Sequence, residues 1–276
     1  MFDIENHKLF RQHRYRKATI TNPLFLGLAT IEINPTELCN RTCSFCPRSN
    51  PVVYPNRNLN MSVDTAFTLA EQLKDYDGDI HITGFGEPTL NPNILEIISA
   101  FSNFYVEMIT NGDRILSKQL DINDLEKAKL DYLIIDCYDN EEQVKQLEEI
   151  LANTQIPIYI RKHFDTKQDF LIKEYNFNNR GGMMYDVEPV QRPCYLPFYK
   201  AFIDWNGDVG LCCNDWARKQ KTFGNILKDN FSNIWLSKKF YKVRQELMLG
   251  NRKNLFACSN CSIDGTQQGK ESFDLW

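Results

Sequence analysis

An α/β fold is predicted for this 276-residue chain: an open, partial (β/α)6 barrel followed by a small thiol-rich domain. Three observations predict it. Short β-rich runs alternate with longer amphipathic ones from residue 28 to about 187. The texture then changes, and a hairpin, a helix and a cysteine-bearing tail fill residues 190–276. Finally, the cysteines are grouped rather than scattered, three early and the others mostly late. The expected division is an N-terminal arm at 1–27, a barrel at 28–189 and the small domain at 190–276.

The runs "LATIEIN" (28–34), "DIHITG" (79–84), "YVEMIT" (105–110), "YLIIDC" (132–137) and "IPIYIRK" (156–162) read as strands, being rich in β-branched and aromatic residues. Between them, "VDTAFTLAEQLKDY", "NILEIISAF" and "NEEQVKQLEEILAN" carry apolar residues at i, i+3, i+4 and read as helices. Ser62 is placed to cap the first of these. Strand–helix alternation implies a parallel sheet with right-handed crossovers, and these units are too few for a closed eight-stranded barrel. Ligands gather at the C-terminal strand ends of such sheets. Three unusual loops fall on that edge: "ELCNRTCSFCPRSNP" after the first strand, "GFGEPTLNP" after the second and "TNGD" after the third. That edge is the expected active site.

After Pro189, "KAFIDWNGDVGLCC" reads as a hairpin turning at Asn206, Gly207 and Asp208. "FSNIWLSKKFYKVRQELMLG" reads as one amphipathic helix closed by Gly250. A segment this short buries little core of its own, so its spaced thiols are expected to staple it through a metal.

The composition, 42% apolar and 25% charged, is ordinary for a globular protein. A net charge of −4 argues against a general nucleic-acid or anionic-membrane binder. No run approaches the roughly 18 apolar residues of a membrane span, and the expected compartment is the cytoplasm. The basic stretch "HKLFRQHRYRK" reads as a solvated arm. Nine cysteines in a reducing compartment point to metal or catalysis rather than disulfides. Cys137, alone in an apolar run, reads as a buried small side chain. Cys39, Cys43 and Cys46 can together hold a metal with a distant fourth ligand, or one whose remaining position stays open.

C-x₃-C-x₂-C just past a strand and before an amphipathic helix resembles the signature of the radical S-adenosylmethionine (SAM) enzymes. The resemblance implies that Cys39, Cys43 and Cys46 hold three irons of a [4Fe–4S] cluster. The fourth iron is then left to the amino and carboxylate groups of SAM. It also implies that Phe45 lies near the adenine. "GFGEP" is similar to that family's Gly-Gly-Glu-Pro, with Gly86, Glu87 and Pro88 matching and Phe85 standing where a glycine is usual. Gly86 would let the backbone approach the methionine moiety, and Glu87 would pair with its ammonium. Asn111 and Gly112 of "TNGD" resemble the polar loop near SAM or substrate, with a plain turn as the bland alternative. Arg161 is placed to pair with the SAM carboxylate or to face solvent. His163 is a weaker candidate for the same region.

Cys194, Cys212, Cys258 and Cys261, with "GDVGLC", "GNI" and "IW" between them, resemble the SPASM/Twitch extension of the same superfamily. One auxiliary [4Fe–4S] cluster is implied, with Cys212 rather than Cys213 as ligand. A zinc ribbon would use the same spacing. "NRGG" (179–182) is similar to a substrate-facing loop of a dehydrogenase in this superfamily, which makes Arg180 the candidate for orienting a substrate hydroxyl. The implied activity is reductive cleavage of SAM to a 5′-deoxyadenosyl radical that takes hydrogen from a substrate. The expected net reaction is a two-electron oxidation of a small hydroxylated molecule, with flavodoxin or ferredoxin as electron donor. Two alternatives remain open at this stage. One is modification of a ribosomally made peptide, disfavoured because only 27 residues precede the first strand; the other is a zinc-stabilised, non-catalytic binding module.

Overall fold

A computed structural model of the chain describes residues 9–15, 22–164, 178–188, 190–265 and 269–276. Its frame is a single eight-stranded sheet. The strands are β1 (Thr30–Ile33), β2 (Asp79–Ile82), β3 (Tyr105–Thr110), β4 (Tyr132–Cys137), β5 (Ile158–Lys162), β6 (Lys200–Ile203), β7 (Asp208–Gly210) and β8 (Gly224–Asn225). Their order is β5-β4-β3-β2-β1-β6-β7-β8. The first six are parallel neighbours; β7 and β8 add antiparallel. This is the partial (β/α)6 barrel of the expectation, and its sixth parallel strand is the first arm of the late hairpin. β6 returns to pair with β1, Thr30 opposite Lys200 and Glu32 opposite Phe202.

Side chains alternate across the sheet. One set, with Ile31, Ile33, Ile80, Ile82, Val106, Met108, Leu133 and Ile135, packs with Leu69, Ile97, Val144 and Leu147 of the crossover helices. Each such buried aliphatic side chain contributes roughly 1.5–3 kcal/mol. The helices Val63–Gln72, Ile94–Ala100 and Glu141–Ile150 fall within the runs whose periodicity predicts them. Ser62 caps the first, its side chain accepting from Thr65 N at 3.1 Å. Cys137 is fully buried in that core. The other set of the alternation carries the polar Thr30, Glu32, Asp79, His81, Glu107 and Lys200, together with Ile109, Ile134 and Phe202.

Two expectations are corrected. The run from Phe231 to Gly250 is two helices, Phe231–Trp235 and Lys238–Met248, not one. Ser237 offers its hydroxyl to Phe240 N (3.2 Å) and so starts a new helix where amphipathic periodicity alone reads straight through. The break lets Trp235, Phe240 and Trp276 enclose the buried Arg244 guanidinium, each ring centroid within 3.9 Å of Cζ. Where it is described, the basic N-terminal stretch is a helix docked on the sheet rather than a free arm. Residues 9–15 are helical, Tyr15 is buried, and Arg11 and Arg14 pair with the buried carboxylates of Glu107 and Asp79. A buried carboxylate requires a charged partner, and these arginines supply it. No helix among the described residues is long and apolar enough to cross a membrane.

Candidate active site and two thiol groups

The loop leaving β1 carries the first three thiols. Cys39, Cys43 and Cys46 are half-buried and line one cavity of about 440 Å³. Cys46 N donates to Cys43 O at 3.0 Å, which folds the last two into a turn. Arg41 pins the loop across the sheet edge, donating to Asp113 Oδ2 (2.7 Å) and Asp139 Oδ1 (2.7 Å) beyond β3 and β4. Burial raises the Cys39 pKa, and burial together with the neighbouring Cys46 and Cys39 pushes Cys43 up to about 11. Bare, the Cys39 and Cys43 thiols stay protonated at neutral pH; as ligands they need a cation to ionise them. Among the described residues no three cysteine, histidine or acidic side chains converge as one metal ion requires. Three thiols at the edge of one cavity are a donor set that fits the ligands of an iron–sulfur cluster.

The loop after β2 is built against the first. A Cβ on Gly86 would lie 2.3 Å from Thr36 O and 2.4 Å from Leu38 O, and Glu87 N donates to Leu38 O at 2.7 Å. The glycine is therefore needed where the two loops touch, a requirement nearer than the expected approach to SAM. Phe85, in place of the family's glycine, packs its ring at the cavity wall in a cluster with Phe202 (4.8 Å) and Trp216 (4.4 Å). Gly84 takes the left-handed backbone instead, with φ of +97°.

The Glu87 side chain is buried and engaged. Its Oε1 accepts from Thr89 N (3.1 Å), Thr89 Oγ1 (2.7 Å) and Thr110 Oγ1 (2.6 Å), and its Oε2 accepts from Asn111 N (2.8 Å). Burial raises its pKa against the pull of these bonds. It thus ties the β2 and β3 loops together at the cavity wall, with capacity left on Oε2. Asn111 passes the connection on, its Nδ2 donating to Asn40 Oδ1 of the cysteine loop at 2.8 Å.

The far wall is aromatic and charged. Phe45, Tyr138 and His163 lie ring against ring, Tyr138 and His163 stacked at 5.0 Å. Asp136 on β4 accepts from Arg161 Nη2 at 2.7 Å and meets His163 Nε2 at 3.1 Å. Burial works against this carboxylate, yet Arg161 and His163 hold its pKa below the usual value. Arg161 therefore reaches the cavity already paired, and neither free nor simply solvated.

The second thiol group is of another kind. Cys194, Cys258 and Cys261 are buried, and Cys212 feels all three electrostatically. Cys213, its neighbour in the chain, turns instead to the main cavity and to Glu32. Burial raises every pKa in the group, that of Cys194 to about 11 with Arg252 opposing. Arg252, fully buried, donates to the carbonyls of Arg192 (3.1 Å), Pro193 (3.2 Å) and Ile263, and so draws the chain at Cys194 to the chain at Cys261. Nothing in the sequence marks that arginine, because its role depends on contacts made only after folding.

Between the two groups runs the "NRGG" loop. Asn179, fully buried, receives Ser262 N at 3.0 Å on Oδ1 and donates to Asn260 O at 3.0 Å. Gly181 and Gly182 take positive φ against Asn214 and Asn260, where a Cβ would approach within 2.6 Å. Arg180, also left-handed at φ +52°, extends into the cavity over Trp216, its Cζ 5.8 Å from the ring. The sequence reading missed Glu32, Trp216 and Cys213 as cavity-facing groups. The period-two alternation of β1 was the available signal for Glu32.

Three loops on one sheet edge, a thiol triplet open to a cavity and a second, sealed thiol group agree with what family models recognise. A radical SAM superfamily model matches residues 33–151, and an iron–sulfur cluster-binding (SPASM) domain model matches residues 194–262. The chain thus carries a radical SAM domain followed by an iron–sulfur cluster-binding domain; it is an enzyme whose cofactors are SAM, a SAM-binding [4Fe–4S] cluster and an auxiliary iron–sulfur cluster. The zinc-stabilised binding module is set aside by that result. At the level of single proteins, the chain is similar to the S-adenosyl-L-methionine-dependent 2-deoxy-scyllo-inosamine dehydrogenase of Niallia circulans. The two are 27% identical over 259 residues, covering 88% of this chain and 96% of the relative. Among solved structures it resembles BtrN in complex with AdoMet and 2-DOIA, with a TM-score of 0.69 and 25% identity. That match covers 85% of this chain and 93% of the other. BtrN in an open conformation superposes with a TM-score of 0.62 at 23% identity, covering 87% and 96%.

Proposed function

We propose that this radical SAM enzyme oxidises a hydroxylated small molecule, of the aminocyclitol kind, by two electrons. The observation that carries the reading is the position of Arg180. Its guanidinium enters the cavity lined by Cys39, Cys43 and Cys46, on a loop fastened to the segment that bears Cys258 and Cys261. One cavity thus meets a radical-generating site, a hydroxyl-binding cation and a route to a second thiol group. The similarity to a 2-deoxy-scyllo-inosamine dehydrogenase supports the same reading.

In this assignment Cys39, Cys43 and Cys46 hold the SAM-binding cluster, and Cys194, Cys212, Cys258 and Cys261 hold the auxiliary one. When loaded, the two sites supply a 5′-deoxyadenosyl radical and an acceptor for one electron. The remaining tasks belong to this chain's side chains. Phe45 and Tyr138 give the adenine an apolar wall, and the free capacity of Glu87 Oε2 meets the SAM ammonium. The Arg161–Asp136 pair presents a guanidinium edge to the SAM carboxylate, and Arg180 orients the substrate hydroxyl. Trp216 and Phe85 close the floor against water, which protects a radical from quenching. The electron donor is a flavodoxin or ferredoxin, and the compartment is the cytoplasm.

Anaerobically reconstituted enzyme given SAM, a reductant and 2-deoxy-scyllo-inosamine or related aminocyclitols is expected to release ketone and 5′-deoxyadenosine in equal amounts. Release of 5′-deoxyadenosine with no oxidised product from any of them would defeat the dehydrogenase reading.

A further inference from the structure

The floor of the cavity holds an acid–base group that none of the roles above uses. Glu32 on β1 lines the cavity and is buried to 6% exposure. Its Oε2 accepts from Lys200 Nζ of β6 at 3.0 Å, and Cys213 faces the same carboxylate. Cys213 is the residue next to Cys212, so Glu32 stands where the cavity wall comes nearest in sequence to the auxiliary thiol group. The row continues inward. Parallel register sets Glu32 opposite His81, and His81 opposite Glu107, on three adjacent strands about 4.8 Å apart. All three are at least nine-tenths buried, and Arg11 of the N-terminal helix meets Glu107 at the end of the row.

We propose that Glu32 accepts the substrate's hydroxyl proton during the oxidation and that His81 and Glu107 carry it on through the barrel interior. The inference rests on the dehydrogenase reading. Removal of a hydrogen atom from the carbinol carbon leaves a carbon radical bearing a hydroxyl. Its conversion to a carbonyl breaks the O–H bond, sends the proton to Glu32 and gives one electron to an acceptor of the iron–sulfur class. Proton and electron therefore leave at one place, so no unbalanced charge stays in the cavity. Lys200 holds the carboxylate in place at 3.0 Å and offsets the cost of burying it. The passage to His81 and Glu107 restores Glu32 without opening the cavity to water.

The test measures ketone formed per 5′-deoxyadenosine, with 2-deoxy-scyllo-inosamine as probe and both clusters loaded. Glu32→Gln is expected to keep its iron and its SAM cleavage while the ratio falls at least tenfold. A carbon-centred radical should build up in its frozen-solution EPR spectrum, a signature that a merely structural role would not produce. Glu32→Asp, which also serves if the Gln variant does not fold, should recover part of the ratio. His81→Phe should complete a first turnover and then slow. An unchanged ratio in both Glu32 variants overturns the inference while leaving the dehydrogenase reading intact. No ketone even from the wild type overturns both.

Discussion

The two thiol groups use the same ligand atom in opposite settings. Cys39, Cys43 and Cys46 are half-buried on a loop, lie beside a cavity and are anchored by Arg41 of that loop to Asp113 and Asp139 of neighbouring loops. Cys194, Cys258 and Cys261 are buried, and the chain around them is gathered by Arg252 through backbone carbonyls. A site that must admit a substrate-sized cofactor keeps an open face and borrows its order from neighbouring loops. A site that only passes electrons gains from exclusion of water, and its order comes from its own backbone. On the proposed assignment, openness and closure separate the radical-generating site from the electron-passing one.

That contrast can be broken at its strongest point by exchanging the losses. Cys43→Ala should reduce 5′-deoxyadenosine formation to background, whereas Cys258→Ala should cleave SAM and lose about four irons per chain. Loss of SAM cleavage in both would erase the distinction. Phe85→Gly restores the family's glycine yet removes a ring packed on Phe202 and Trp216. It should cost about 3–5 kcal/mol in denaturant unfolding, and a neutral result would show that the aromatic seam is dispensable. Arg252→Met strips a charged donor from three carbonyls and should cost about 3 kcal/mol, together with the auxiliary iron. Its counterpart Arg41→Met, at the more exposed site, should cost only about 1 kcal/mol or less and spare the auxiliary iron.

How legible each part was follows from how local its cause is. The five early strands and three long helices show in the sequence because periodicity is a property of neighbouring residues. Ser62 as a cap and Gly207 in the hairpin turn, at φ +82°, are local as well. The sixth parallel strand was read as a hairpin arm, but its pairing with β1 is a contact across about 170 positions that no local pattern encodes. The two short helices Asp113–Leu116 and Ile122–Lys127 lack a full period of apolar spacing and went unread. Within the site, motif spacing brought forward the cysteines, Glu87 and Arg180. Glu32 and Arg252 stayed hidden, since a charged residue in a strand or turn looks solvated until the fold buries it.

The hold of Asn179 on Ser262 and Asn260 has a consequence for how damage to this enzyme is interpreted. The loop that aims Arg180 hangs from the cysteine tail, so on the proposed assignment unravelling that tail would disarm substrate recognition and electron disposal together. A cluster-deficient variant that fails to oxidise has two faults in one lesion. Asn179→Ala separates them: it should retain its full iron content and SAM cleavage while the probe's KM rises. Normal KM in that variant would mean that Arg180 finds its place without the tether.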